Sequence, residues 1–139
     1  MNKTEDHKLH RTNVPAIECA NGDKLWFING ERHREDGPAV ERANGGKSWW
    51  INDKRHREDG PAVERANGDK LWFINGKRHR EDGPAIEYAN GDKLWFINDK
   101  ELTKQEFNEH LKDLELQRLR EEIKNMPEKS YDPINDLEL

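Results

Sequence analysis

The sequence predicts a mainly β protein: a single elongated antiparallel sheet of tandem 23-residue β-hairpin repeats, followed by one C-terminal α-helix. Three observations predict it. A block of 23 residues recurs almost letter for letter, with Pro15, Pro38, Pro61 and Pro84 in register and Trp26, Trp49, Trp72 and Trp95 in register. Self-similarity at this period marks an array whose units stack on their neighbours. An Asn-Gly dipeptide lies between two β-prone runs in each unit, at Asn21-Gly22, Asn44-Gly45, Asn67-Gly68 and Asn90-Gly91. It is the strongest short-range hairpin signal. Beyond residue 100 the alternating pattern gives way to a helical one.

Composition suits a thin array. The 139 residues are 32% hydrophobic and 38% charged, against about 45–50% and about 25% in ordinary domains. That covers the faces of a sheet but cannot fill a thick core. Residues 1–100 hold 18 Lys+Arg and 18 Asp+Glu, so the net charge of −5 belongs to residues 101–139. A neutral repeat body argues against general nucleic-acid binding. Cys19 is the only cysteine, so no intrachain disulfide forms and a reducing, cytoplasmic setting is expected. Met1 to His10 contain no apolar leader, and no stretch reaches transmembrane length.

Residues 1–9 are read as a frayed or disordered N-terminus and 10–100 as the repeat domain, four repeats with the first degenerate. In each unit an Ala-Val-Glu-Arg-Ala-type strand meets the Asn-Gly turn, expected as type I′ with both central residues at positive φ. A Lys-Leu-Trp-Phe-Ile-type strand returns. Gly76 to Gly83 is expected as a polar connecting turn, with Pro84 opening the next strand, where a missing N–H is tolerated. Alternation puts Trp72 and Ile74 on one face and Leu71 and Phe73 on the other. Trp26, Trp49, Trp72 and Trp95 are therefore expected to line up as a structural ladder, with Phe27, Trp50, Phe73 and Phe96 as a second ladder behind it.

Residues 101–127 are read as a capping and association helix. Thr103 and Glu106 form a capping-box pattern, and the helix should run from Lys104 to about Asn125, before Pro127. Phe107, Leu111 and Leu114 make one apolar stripe, expected to cap the last hairpin. Leu116, Leu119, Ile123 and Met126 make a second, expected to pair two copies as a homodimer. Residues 128–139 are read as an acidic disordered tail.

The motifs Phe73-x-x-Gly76-Lys77-x-His79 and Trp50-x-x-Asp53-Lys54-x-His56, each followed by Gly-x6-Asn-Gly, resemble MORN-type (membrane occupation and recognition nexus) repeats. The resemblance covers roughly residues 10–100. In place of the glycine expected after each histidine stand Arg34, Arg57 and Arg80, and the next glycine comes one position late, as in the variant repeat of bacterial and phage proteins. The resemblance implies stacked β-hairpins in one sheet.

His10, His33, His56 and His79 recur in register. Equivalent residues on neighbouring hairpins are about 10 Å apart, whereas zinc ligands lie ~2 Å from the ion, so no metal site is expected. Arg34-Glu35-Asp36, Arg57-Glu58-Asp59 and Arg80-Glu81-Asp82 place both charges along one edge, read as an inter-repeat salt-bridge ladder or as a strip that recognises a partner. No nucleophile motif, phosphate loop or carboxylate pair in a cleft occurs, and Glu41, Glu64 and Glu87 lie on a flat sheet. The expectation is therefore a non-enzymatic, cofactor-free protein-binding module. The resemblance to the variant repeat further implies a phage or prophage accessory protein that occludes or scaffolds a host protein in the host cytoplasm, an antiviral defence enzyme included. The alternative is a peripheral binder of anionic lipids through the basic turns around Lys77-Arg78-His79-Arg80.

Overall fold

The computed structural model describes residues 17–127. His10, Pro15, the expected frayed N-terminus and the expected acidic tail lie outside the described residues. The chain divides into two units, one ending at Lys104 and one beginning at Gln105.

In the first unit each repeat contributes two hairpins. The first repeat supplies β1 (Ile17–Glu18), β2 (Lys24–Leu25), β3 (Phe27–Ile28) and β4 (Glu31–Arg32); the second supplies β5 (Val40–Glu41), β6 (Lys47–Ser48), β7 (Trp50–Ile51) and β8 (Lys54–Arg55). The third gives β9 (Val63–Glu64), β10 (Lys70–Leu71), β11 (Phe73–Ile74) and β12 (Lys77–Arg78), and the last gives β13 (Ile86–Glu87), β14 (Lys93–Ile97) and β15 (Lys100–Leu102). The first hairpin of every repeat joins one nine-stranded antiparallel sheet in the order β1-β2-β5-β6-β9-β10-β13-β14-β15. The expected architecture of two sheet strands per repeat is thus found, with β15 added at the end. Cross-strand pairing explains the sheet's register. Leu71 sits opposite Val63 and Ile86, and Lys70 opposite Glu64 and Glu87. An apolar column and a Lys/Glu column therefore run side by side, each pair supporting the next.

The polar connection is not a simple turn, which corrects the sequence reading. β3–β4, β7–β8 and β11–β12 are separate two-stranded hairpins. Their turns have positive φ at both central residues: Asn29 and Gly30, Asn52 and Asp53, Asn75 and Gly76. The type I′ turns are therefore here, because only these two-residue loops need two left-handed residues. The Ala-Asn-Gly turns use a single left-handed residue, such as Gly22 at φ 102. Gly22 N–H donates to Cys19 O at 3.0 Å and Cys19 N–H to Asp23 O at 2.8 Å. This is a three-residue loop in which a type I turn is followed by a glycine bulge.

Two apolar clusters fill the unit. One is Trp26, Ala39, Val40 and Trp50; the other is Leu71, Ala85, Ile86 and Phe96. Ala39, Ala62 and Ala85 are fully buried, and each accepts a 2.8 Å hydrogen bond from the N–H of Trp26, Trp49 or Trp72. The second repeat carries Ser48-Trp49-Trp50 where the third has Leu71-Trp72-Phe73. The two changes belong together, since Trp50 Nε1 donates to Ser48 Oγ at 2.7 Å. Buried indole N–H groups usually find such a partner, although Trp26 Nε1 is buried without one.

The second unit's helix, α1 (Lys104–Lys124), starts directly after Thr103, where the sequence places it. Glu101 and Leu102 do not belong to it: they pair in β15 with Phe96 and Trp95, which moves the boundary expected at residue 100. Phe107 is buried and Leu111 and Leu114 are half-buried, while Leu116, Leu119, Ile123 and Met126 are exposed.

Candidate functional site

The connecting loops hold most of the chemistry. Each His-Arg-Glu-Asp-Gly-Pro segment follows a type I′ hairpin and leads into the next repeat. Arg57 shows how. Its guanidinium lies over the Trp49 ring, 3.8 Å from the centroid. Nε donates to Asp59 at 3.0 Å, and Nη1 donates to Pro61 O at 3.0 Å and to Glu64 at 3.2 Å. Arg34 over Trp26 and Arg80 over Trp72 repeat both the 3.8 Å stack and the bonding. A Cβ at Gly60 would come within 2.9 Å of the Arg57 guanidinium carbon. The glycine after each Asp leaves room for the guanidinium, which sits between it and the tryptophan; a side chain there would have to push the arginine aside.

This geometry changes two expectations. The tryptophans are faced by guanidiniums of their own repeat, and Trp26 is buried while Trp49, Trp72 and Trp95 are half-buried. A second set reaches across to the following repeat: Arg32 lies over Trp50 at 3.8 Å and Arg78 over Phe96 at 4.3 Å. The aromatic ladders are thus interleaved with arginine, each contact worth ~0.5–2 kcal/mol. The salt-bridge ladder is also redrawn. Arg34, Arg57 and Arg80 pair within their loop and with the strand that follows, not with the next loop along.

The strip consequently has an inside and an outside. The three arginine side chains are only 18–23% exposed, whereas Glu35, Asp36, Glu58, Asp59, Glu81 and Asp82 are 55–88% exposed. Successive loops flank two equivalent open clefts of about 670 and 660 Å³. The first is lined by Trp49, Ile51 and His56, by Glu35, Asp36, Glu58 and Asp59, and by Arg34 and Arg57. The second is lined by Trp72, Ile74 and His79, by Glu58, Asp59, Glu81 and Asp82, and by Arg57 and Arg80.

The histidines are junction pieces. His33, His56 and His79 accept through Nδ1 from the N–H of Asn52, Asn75 and Asn98, at 3.0, 2.9 and 3.0 Å. An accepting Nδ1 leaves the proton on Nε2, which donates to Glu35, Glu58 and Glu81. Among the described residues no three His, Cys, Asp or Glu side chains gather so as to hold a metal.

Carboxylates make the remaining junctions. Asp23 Oδ1 accepts from Ala43 N–H and Asp69 Oδ1 from Ala89 N–H, both at 2.7 Å across a repeat boundary. These backbone bonds are the main cause holding both carboxyls below their ordinary value. At the other edge Asp53 accepts from Arg32 Nε at 2.9 Å and from Arg32 N–H, which holds it low as well; Asp99 and Arg78 do the same. The sequence reading gave these aspartates no junction role, Asp53 appearing there only as a motif position. Their signal was visible as register positions where Asp alternates with Gly: 23, 46, 69 and 53, 76, 99.

Among the described residues no helix is long and apolar enough to cross a membrane. No protein-family model and no curated protein matches the chain.

Proposed function

We propose that the repeat body is a non-enzymatic protein-binding module whose contact surface is the pair of loop clefts, and that its partner presents a Lys- or Arg-rich segment. One observation carries this. Two clefts one repeat apart each bring Trp and Ile side chains together with four well-exposed carboxylates, while the two arginines that also line each cleft are only 18–23% exposed. A lining both aromatic and acidic suits the stem and head of a basic side chain. Two such clefts in register give a partner bivalent engagement. The resemblance to variant MORN-type repeats extends the reading to a phage or prophage accessory protein that occludes or scaffolds a host protein, a defence enzyme among the candidates.

Fluorescence anisotropy with a labelled Lys/Arg-rich peptide tests it. The intact protein should bind in a salt-sensitive manner, and Glu58→Lys/Asp59→Lys, which touches both clefts, should abolish binding without unfolding. Equal binding by the variant sinks the reading. The lipid alternative is less well supported, because Arg78 and Arg80 are committed to Asp99, Glu87 and aromatic faces. Salt-sensitive flotation with anionic vesicles would revive it. We also propose that Leu116, Leu119, Ile123 and Met126, all exposed, associate two copies about a twofold axis. Light scattering should give a dimer for the intact chain and a monomer for Leu119→Glu/Ile123→Glu. A monomeric intact chain rejects this.

A further inference from the structure

The edge carrying the Ala-Asn-Gly turns repeats one junction with a single interruption. In the first and third repeats a carboxylate crosses the boundary. Asp23 binds Ala43 N–H and Arg42, and Asp69 binds Ala89 N–H and Arg65, with 2.7 Å to the amide and 3.3 Å to the arginine in both. The second repeat has Gly46 at this position. A Cβ built there would stand 3.6 Å from Ala66 N. Ala66 N–H is the counterpart of the Ala43 and Ala89 donors, and among the described residues no group accepts from it.

A second Asp-to-Gly change, at the other edge, removes the carboxylate placed for Arg55, whose side chain lines the same recess as Gly46. Arg32 pairs with Asp53 and Arg78 with Asp99, each one repeat onward. The residue so placed for Arg55 is Gly76, and among the described residues Arg55 has no ion-pair partner. Burial, and then repulsion from Arg32 and Arg65, lower the Arg55 pKa from its ordinary value. Gly46 and Arg55 border a recess of about 430 Å³ whose lining includes Arg42, Lys47, Arg55 and Arg65 against one carboxylate, Glu64. Glu64 is already held by Arg57 at 3.2 Å. The recess shares no lining residue with the two acidic clefts.

We propose that this recess is a receptor for one carboxylate carried by another polypeptide, an Asp or Glu side chain seated on Ala66 N–H and gripped by Arg42 and Arg65. The chain itself supplies the template, since Asp23 and Asp69 occupy the equivalent places one repeat away on each side. Position 46 also has both arginines nearby: Arg42 stands four residues before it, as Arg65 does before Asp69, and Arg65 nineteen after it, as Arg42 does after Asp23; each holds its own aspartate through Nη1 alone, at 3.3 Å, and is more than half exposed. Charge-assisted bonds to an amide and a guanidinium are the strong kind. This site is independent of the acidic clefts, so either reading can fail alone.

The test is an NMR titration of the intact ¹⁵N-labelled chain with a capped Gly-Asp-Gly peptide at constant ionic strength, with capped Gly-Asn-Gly as the neutral control. The Ala66 amide proton should move downfield saturably with the Asp peptide and stay still with the Asn peptide. In Gly46→Asp it should start downfield, beside Ala43 and Ala89, and no longer respond. Arg65→Gln should weaken the response about tenfold. A still Ala66 amide overturns the proposal, as does an undiminished response in Gly46→Asp or Arg65→Gln. Inorganic phosphate is titrated in parallel, and a shift with phosphate alone would overturn the carboxylate assignment.

Discussion

Asn29-Gly30 and Asn21-Gly22 are the same dipeptide eight residues apart, yet they fold as different turns and lie on different edges of the array. The Asn29 edge turns by type I′ and is joined to its neighbours by imidazoles, guanidiniums and tryptophan faces. The Asn21 edge turns through a glycine bulge and is joined by single carboxylates to backbone amides. The difference teaches that the dipeptide licenses a hairpin, while the number of residues left between the paired strands selects its turn. It also teaches that one edge is tied redundantly and the other by one group per junction. Only the second can lose its tie through one residue change, as Gly46 does.

Four experiments would break or sharpen that contrast. The largest effect is expected at the redundant edge. Arg57→Glu removes the stack on Trp49 and sets a new carboxylate beside Asp59 and Glu64, and should cost about 3 kcal/mol in a denaturant melt. A loss within experimental error would return Arg57 to the role of a free recognition residue. His56→Ala strips the acceptor from Asn75 N–H and should cost ~1–2 kcal/mol, read the same way. If it is neutral, the imidazole is packing filler and the edge is tied by arginine alone.

Acid should single out the carboxylate edge. Asp23 and Asp69 have carboxyls depressed in the fold, so the stability they supply is complete above the unfolded value near 3.8 and is lost as pH falls through their lower folded values. Over that descent the Ala43 and Ala89 amide protons should move upfield while Ala66 stays put. If Ala66 tracks them, its junction does not differ from the other two. The smallest effect is expected from Gly46→Asp, which restores the missing tie: thermal unfolding should shift modestly upward. A decrease would show that the recess resists a carboxylate of the chain's own.

Much of the sheet was legible because period and pairing reinforce each other. Pro38, Pro61 and Pro84 fixed the unit, and the Leu71 and Lys70 columns followed from alternation. The type I′ hairpins were missed for a physical reason. Strands of two residues carry too few side chains for alternation to be read, and Asp53 and Asp99 at positive φ hide the Asn-Gly signal in alternate repeats. The site was half legible. The Arg-Glu-Asp strip was found by repetition, but which of its members face outward depends on Arg57 sitting between Trp49 and Gly60, a packing relation across the loop. The Gly46 recess was legible only by comparison, as an omission in a repeating text.

The reach of the ties has a kinetic consequence. Carboxylate, imidazole and arginine–aspartate junctions join residues 20, 19 and 21 positions apart, so each closes a loop no longer than one repeat. Closure entropy stays small for loops of this size, and topologies dominated by such short-range closures fold fast for β proteins. Any adjacent pair of repeats can serve as a nucleus from which order spreads in both directions. The chain thus obtains a nine-stranded sheet without the long-range search that a β-sandwich of equal strand number must complete. As it emerges during synthesis, each repeat can dock once its successor has been added, with no need to wait for the far end.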